Sequence, residues 1–515
     1  MNRAKSKSAA LTVALMMAAT VLSKALGLIR NTLLASHYGT TEAANAFSAA
    51  LRIPLSFFDL LFSAAIVACF VPVYNGFREE ERGEADRFAS VYLNVMLLLS
   101  AVAAAVGMLW APDILGLIAP GLPETTAALA ARLIRILFPM IVCAAGTYTM
   151  VGILQSRGSF LAPAAISAVS NLGVILYFLF LDRRLGEDGI YGLAFAYLIS
   201  WFLQLAVLIV PLWRCGYTYS LSLNLKNPHL YRALRMVPMI LVGSWLLPAA
   251  SLIGTFFGAR SSLASAISVF DYANNIYIIV AGVLTYSISN FLFPKLSRLS
   301  GVSETDFAEN LAIGLRSSLY LILPILAAVL VLAEEGVCLL YLGGSFTAAD
   351  ATMVAEALRA IAVGMPAFAL SELLSRAFYS RKELLPPALS AALGVLANLL
   401  ACALSLAITD DISVFTIGLG NAVGQWVCAL VLLGFSCRRL RGIFKKDSLT
   451  AVSKTAVCAL LSLAVMAGME HLLGSLGLVA TELGRLKNAL LCLCVFLPGA
   501  LTYLGAARVI KLKFR

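Results

Sequence analysis

The sequence is poor in charge. Only 13% of its 515 residues are Asp, Glu, Lys or Arg, about half the fraction of a soluble chain, whereas 61% are hydrophobic. Mean hydropathy is +0.92. No single globular core buries that much apolar surface, which excludes a soluble fold. Histidine is scarcer still, with His37, His229 and His471 too scattered to form a metal site. The ten cysteines (69, 143, 215, 338, 402, 428, 437, 458, 492 and 494) include no CxxC pair and fall mostly in apolar stretches. They read as small buried hydrophobes. Also missing are GxSxG, HExxH and the phosphate-binding GxxxxGK[ST]. The acidic pairs Glu334 with Glu335 and Asp410 with Asp411 stand at the edges of apolar blocks, as solvated loop residues do. The chain is therefore expected not to be an enzyme and to use neither cofactor nor metal. Without a nucleotide site, uphill transport must draw on an ion or potential gradient, or on an imbalance between substrate and product.

Apolar blocks of about 20 residues, the length a helix needs to cross the hydrocarbon core, run through the whole chain. Their breaks predict about fourteen spans, near 9–35, 43–75, 87–111, 125–155, 160–181, 189–213, 230–257, 263–291, 307–334, 351–379, 384–409, 412–436, 449–471 and 486–507. The fold class expected is an all-α polytopic membrane protein. The N-terminus imitates a signal peptide, but its apolar pattern continues past Lys24 without a cleavage site, so a retained first helix is expected. With both termini cytoplasmic, the inner connections collect roughly 24 Lys and Arg against roughly 5 outside. CRRLRGIFKKDS (437–448) and the tail ARVIKLKFR (507–515) are the densest of these. This bias accounts for most of the net charge of +11. It calls for no nucleic-acid partner, and it suits contact with anionic membrane lipids.

The chain also repeats itself. PMIVCAAGTYTMVGILQSRGSFLAPAAISAVSNL begins at Pro139, and PAFALSELLSRAFYSRKELLPPALSAALGVLANL begins at Pro366. Each carries a helix, a short polar turn and a second helix, and Asn171 and Asn398 each follow the proline by 32 positions. This pattern predicts an N-terminal lobe at 1–222, a C-terminal lobe at 223–440 and two extra helices at 441–515. Parallel repeats around a central pathway are a common transporter design.

Three cations stand inside apolar spans: Lys24 and Arg30 in SKALGLIRNTLLAS (23–36), and Arg52 in ALRIPLSFF (50–58). At a helix centre each costs roughly 2.5–3.5 kcal/mol on insertion scales. Snorkelling to the interface or a polar cavity would each relieve that cost. Lys24 and Arg30 lie about 120° apart on a regular helix and share no face, although a bend at Gly27 would bring both towards one cavity. Pro54 is expected to kink the second span. Asp59 and Asp271 are the clearest acids within spans. An excess of cations suits an anion, and phosphate or diphosphate matches an arginine fork. Arg132 and Arg135, one turn apart, fit either outer phosphate contacts or interfacial anchors. Arg260, in FFGARSSLAS, fits a cavity mouth or an anchor. Glu372 and Arg376 are spaced for an i,i+4 pair.

LSKALGLIRNTLLASHYG, NAFSAALRIP, FVPVY, GILQSRGSFLAPA, the SNL of the fifth span, LGGSFTAAD and SRAFYSRKELLPP occur in that order along residues 10–510. Together they resemble the MurJ (MviN-like) family of lipid II flippases, within the multidrug, oligosaccharidyl-lipid and polysaccharide exporter superfamily. The resemblance implies two six-helix lobes facing each other in a V, with a lipid-tail groove formed by the last two helices. It further implies alternating access around a cationic cavity that holds undecaprenyl-diphosphate-linked peptidoglycan precursor. The protein would be a monomer in the bacterial inner membrane, with cell-wall synthesis proteins as partners. By motif, Lys24 stands where the family usually has arginine, Arg30 matches a cavity arginine and Arg260 matches a further one. With Arg52 and Asn31, these make the expected substrate-binding set. A related exporter of another lipid-linked oligosaccharide, or of small drugs, is the alternative. The departures are specific. The family commonly has Asp at the positions of Asn31 and Asn45, and arginine at that of Asp59. Its YADR-like sequence is YANN here (272–275). Some members bind sodium through Asn and Asp four residues apart, where this chain has Asn398 and Cys402.

Overall fold

A computed structural model describes residues 2–63, 65–244, 246–439 and 446–510. Residues 440–445 of the basic loop at 437–448, with the expected domain boundary at 440, and the last five residues of the tail therefore lie outside the described residues. Those described are helical throughout, with no strand among them. Eleven of their helices are long and apolar enough to cross a bilayer, and twelve if Ala348–Ala362 and Met365–Ser380, bent by 44°, count as one span. Helices also occupy the first expected span (Asn2–Tyr38) and the seventh (Pro228–Ser244 and Leu246–Gly258).

Local chemistry sets the helix boundaries. Thr41 caps Glu42–Phe58 by accepting from the Ala44 amide, and Ser303 caps Glu304–Val331 by accepting from that of Asp306. Thr347 and Asp350 form a reciprocal capping box at Ala348–Ala362. Pro54 removes a backbone donor from the second span, which stays α-helical to Phe58 and then widens into π turns over Asp59–Ser63 and Ala65–Phe70. Small residues set the packing. Along Leu385–Thr409, Ser390, Gly394, Asn398 and Cys402 recur every fourth position and are buried, whereas Leu389, Leu393, Leu396, Leu400 and Leu404 are exposed. A Cβ on Gly394 or Gly424 would lie 2.7 Å from the other's carbonyl oxygen. The helix and its neighbour Val414–Arg439 thus approach backbone to backbone, as membrane helices do where side chains are small.

The chain groups into two compact units, residues 1–34 with 41–256, and residues 35–40 with 257–515. In the first, Leu161–Phe180 packs on Gly189–Arg214, and Arg82–Leu109 on Met140–Ser156. Its aromatic core holds Phe70, Phe88 and Tyr92, with ring centroids 4.8–6.0 Å apart. In the second unit, Lys446–Ser475 packs on both Arg485–Val509 and Glu304–Val331. Tyr503 donates to the Tyr320 carbonyl (2.7 Å), and Ser462 to that of Gly499 (2.8 Å). The end of the first helix belongs to this second unit. Ser345 donates its amide to the Ser36 carbonyl and its hydroxyl to that of His37, and Tyr272 donates to Gly39. Gly39 (φ +52°) and Gly344 (φ +64°) face the opposing backbone so closely that a Cβ on either would overlap it.

On the short helix Ala333–Tyr341, outside the spanning segments, Glu335 is buried and its Oε2 has no hydrogen-bond partner. Burial pushes its carboxyl above the ordinary range, Glu470 and Glu334 act in the same direction, and Arg359 opposes. The stability that goes with the protonated form is present below the ordinary Glu range and is lost as pH rises through the raised value. Glu335→Gln should therefore melt above the parent protein at neutral pH in detergent and converge with it near pH ~4. A melting difference that does not change with pH would contradict this.

Candidate substrate-binding site

Arg30 is half-buried on the first helix, and its guanidinium is held on three sides. Nε and Nη2 donate to Oδ1 of Asn31 at 3.2 and 2.9 Å, and Nη1 donates to Oδ1 of Asn171 at 3.0 Å. The ring of Tyr197 lies 5.5 Å from Cζ. Asn171 reaches from Leu161–Phe180, and its Nδ2 donates to the Ser23 carbonyl, 3.0 Å away on the first helix. Asn171 packs beside Gly27. A Cβ there would meet Asn171 Nδ2 at 3.4 Å, and the helix runs on through Gly27 without a break. That distance is ordinary van der Waals contact, so a small side chain would also fit beside Asn171. The bend expected at Gly27 is not needed for this contact.

A guanidinium carries five N–H donors. Three are used here, which leaves one on each terminal nitrogen without a partner among the described residues. The acceptors that hold Arg30 are neutral carboxamides, and neither Asp59 nor Asp271 is among them. Its positive charge is fixed in place without being cancelled, an arrangement suited to an oxyanion.

The other expected cations are not among the groups that hold Arg30. Lys24 is exposed on the first helix, with no partner among the described residues. Arg52 is half-buried within Glu42–Phe58. Arg260 is exposed just after Leu246–Gly258 and belongs to the second unit. Arg30, Asn31 and Asn171 are therefore the group brought together. Glu372 and Arg376 form the i,i+4 pair expected of their spacing, at 2.9 Å. Asn398, the repeat partner of Asn171, instead packs on Gly420 and Gly424 and accepts a weak bond from Cys402 (3.6 Å).

Sequence reasoning missed a second polar centre, built on the Arg82–Leu109 helix. Asp86, Ser90 and Asn94, four residues apart on one face, are all buried. Arg157, in the turn after Met140–Ser156, pairs with Asp86 and also donates to the Tyr74 hydroxyl (2.9 Å) and the Cys215 carbonyl (3.0 Å). The other Asp86 oxygen accepts from the amide and hydroxyl of Thr218, both at 3.0 Å. Ser90 meets Tyr217, and Asn94 donates to the Ser220 and Ser222 carbonyls, so the 217–222 segment is tied down along its length. The repeat has an outer counterpart, in which Arg381 pairs with Glu304 (2.7 Å) and Glu383 (3.3 Å). The available signal was the shared Ser-Arg of the two polar turns, QSRGS and YSRKE.

A sequence profile described as "Lipid II flippase MurJ" matches residues 34–486. The chain belongs to the MurJ family. It is 29% identical over 493 residues to the probable lipid II flippase MurJ of Rhizobium tropici, covering 91% of this chain and 89% of that one. It is 28% identical over 513 residues to the lipid II flippase MurJ of Burkholderia cenocepacia, covering 96% of each. Among solved structures, a lipid II flippase MurJ in an inward closed conformation superposes with a TM-score of 0.77 at 21% identity, over 96% of this chain and 99% of that one. An inward-facing multidrug resistance transporter of the MATE family follows, with a TM-score of 0.66 at 14% identity, over 83% of this chain and 98% of that one. The MurJ and MATE superpositions establish the shared polytopic helical fold, and the MurJ profile establishes the family.

Proposed function

We propose that this MurJ-family chain is a lipid II flippase of the bacterial inner membrane. It moves undecaprenyl-diphosphate-linked peptidoglycan precursor from the inner to the outer leaflet by alternating access. The observation that carries the reading is the Arg30 guanidinium, fixed by Asn31 and Asn171 with an N–H left over on each terminal nitrogen. Such a group matches the paired oxygens of a diphosphate. In this reading Lys24, Arg52 and Arg260 add positive charge along the path, with binding strong enough for capture and weak enough for release. Two repeated lobes, residues 1–222 and 223–440, would rock about the bound headgroup while the helices of 441–515 accommodate the lipid tail. Both termini would be cytoplasmic. A cationic drug would be repelled by an uncancelled guanidinium, which favours a phosphate-bearing lipid.

The test is rescue of a strain depleted of its own lipid II flippase, combined with an assay for precursor at the outer leaflet. Growth with precursor at the outer face is expected. Growth without it would overturn the transport reading, and failure of a well-expressed chain to rescue would turn the assignment towards another lipid-linked glycan.

A further inference from the structure

Several arginines among the described residues pair with carboxylates, whereas Arg135, Arg316, Arg359 and Arg485 donate to backbone carbonyls. Arg157 pairs with Asp86, Arg376 with Glu372, Arg381 with Glu304 and Glu383, and Arg439 with Glu383. In each pair a carboxylate both positions and neutralises the guanidinium. Arg30 is held as firmly, but by the carboxamide oxygens of Asn31 and Asn171 and the face of Tyr197. Asn171 is 7% exposed and uses both ends of its amide, one on the guanidinium and one on the backbone of the helix that carries it. It therefore ties the Arg30 side chain to the backbone of its own helix seven residues back, beside Gly27. A carboxylate at 171 would still accept from the guanidinium and would cancel its charge, but it could not donate to the Ser23 carbonyl.

We propose that Asn171 is the positioning residue of the substrate site, fixing Arg30 in a set orientation while leaving its positive charge for the diphosphate of the substrate. This rests on the flippase reading above and adds a residue and a reason for its chemical type. Positioning by a neutral acceptor places the two remaining N–H groups without neutralising the charge that attracts the ligand. Asn171→Asp keeps the size and the acceptor oxygen but adds the neutralising charge. Asn171→Ala removes the acceptor altogether.

The experiment measures binding of a short-chain polyprenyl diphosphate, and of the alcohol of the same chain, to the full-length protein in detergent. Melting temperature is followed in parallel. Asn171→Asp is expected to bind the diphosphate about tenfold or more weakly and to bind the alcohol as the parent does. Asn171→Ala should also lose about tenfold for the diphosphate alone, because the guanidinium is no longer fixed. A merely structural role would lower both ligands and the melting temperature together, and would overturn the proposal. So would diphosphate affinity of Asn171→Asp within about twofold of the parent. Arg30→Ala separates the two levels of the account. If it binds the diphosphate normally, the flippase site itself is misassigned. If it loses binding while Asn171→Asp does not, only the role of Asn171 falls.

Discussion

Replacing Arg30 with alanine is expected to abolish rescue of a flippase-depleted strain at normal protein levels. The guanidinium is held in a defined pose by three hydrogen bonds and an aromatic face. Hydrogen bonds to charged groups are worth about 1.5–3 kcal/mol each. Losing two of them to a diphosphate corresponds to a loss of about 100-fold or more. Arg30→Lys is the sharper variant. It keeps the charge but cannot bond Asn31 and Asn171 while presenting a planar fork, so activity should fall at least about tenfold. Growth of Arg30→Ala at the parental rate, with the protein present in the membrane, would remove Arg30 from the mechanism.

The second large effect concerns stability. The Asp86 and Arg157 side chains are 6% and 14% exposed, and Tyr74, Cys215 and Thr218 add hydrogen bonds to the pair. Removing one partner of such a pair leaves a buried charge alone, at a cost of about 3–5 kcal/mol. Arg157→Met and Asp86→Asn should therefore each lower the melting temperature steeply. The double variant should lose less than the sum of the two, because the second change no longer strands a charge. The outer counterpart sets the scale. Glu304 is 61% exposed, so Arg381→Ala should cost only about 0–1 kcal/mol. Equal destabilisation by Arg157→Met and Arg381→Ala, measured side by side in detergent melts, would contradict the assignment of Asp86 and Arg157 as the buried tie.

The bilayer explains how much of this was legible in advance. It demands helices of a set length and a basic inner side, so hydropathy and charge place the spans, and the repeat follows from recurring Pro and Asn. Arg30 was legible for the same reason, since a cation in an apolar run is costly. Asn171 was visible only as a repeat position, because a neutral amide in a helix carries no comparable signal. Its repeat partner Asn398 contacts glycines and a cysteine, so the repeat does not transfer a role. Asp86 sits at the edge of its span and looks like an ordinary interfacial acid. Its partner lies 71 residues further on, in a turn. Glycine at 27 permits bending, but the helix runs on through it and meets Asn171, a neighbour far away in sequence. The sequence shows which charges are costly, and tertiary packing decides which neutral groups hold them.

The most direct measurement of the central claim is transfer of labelled lipid II across proteoliposomes that contain the purified chain. Parent protein and Arg30→Ala would be reconstituted at equal density, and outer-face label read with a membrane-impermeant reagent. The account predicts transfer by the parent and none above empty vesicles by Arg30→Ala. Equal transfer by both, or none by the parent, would contradict it.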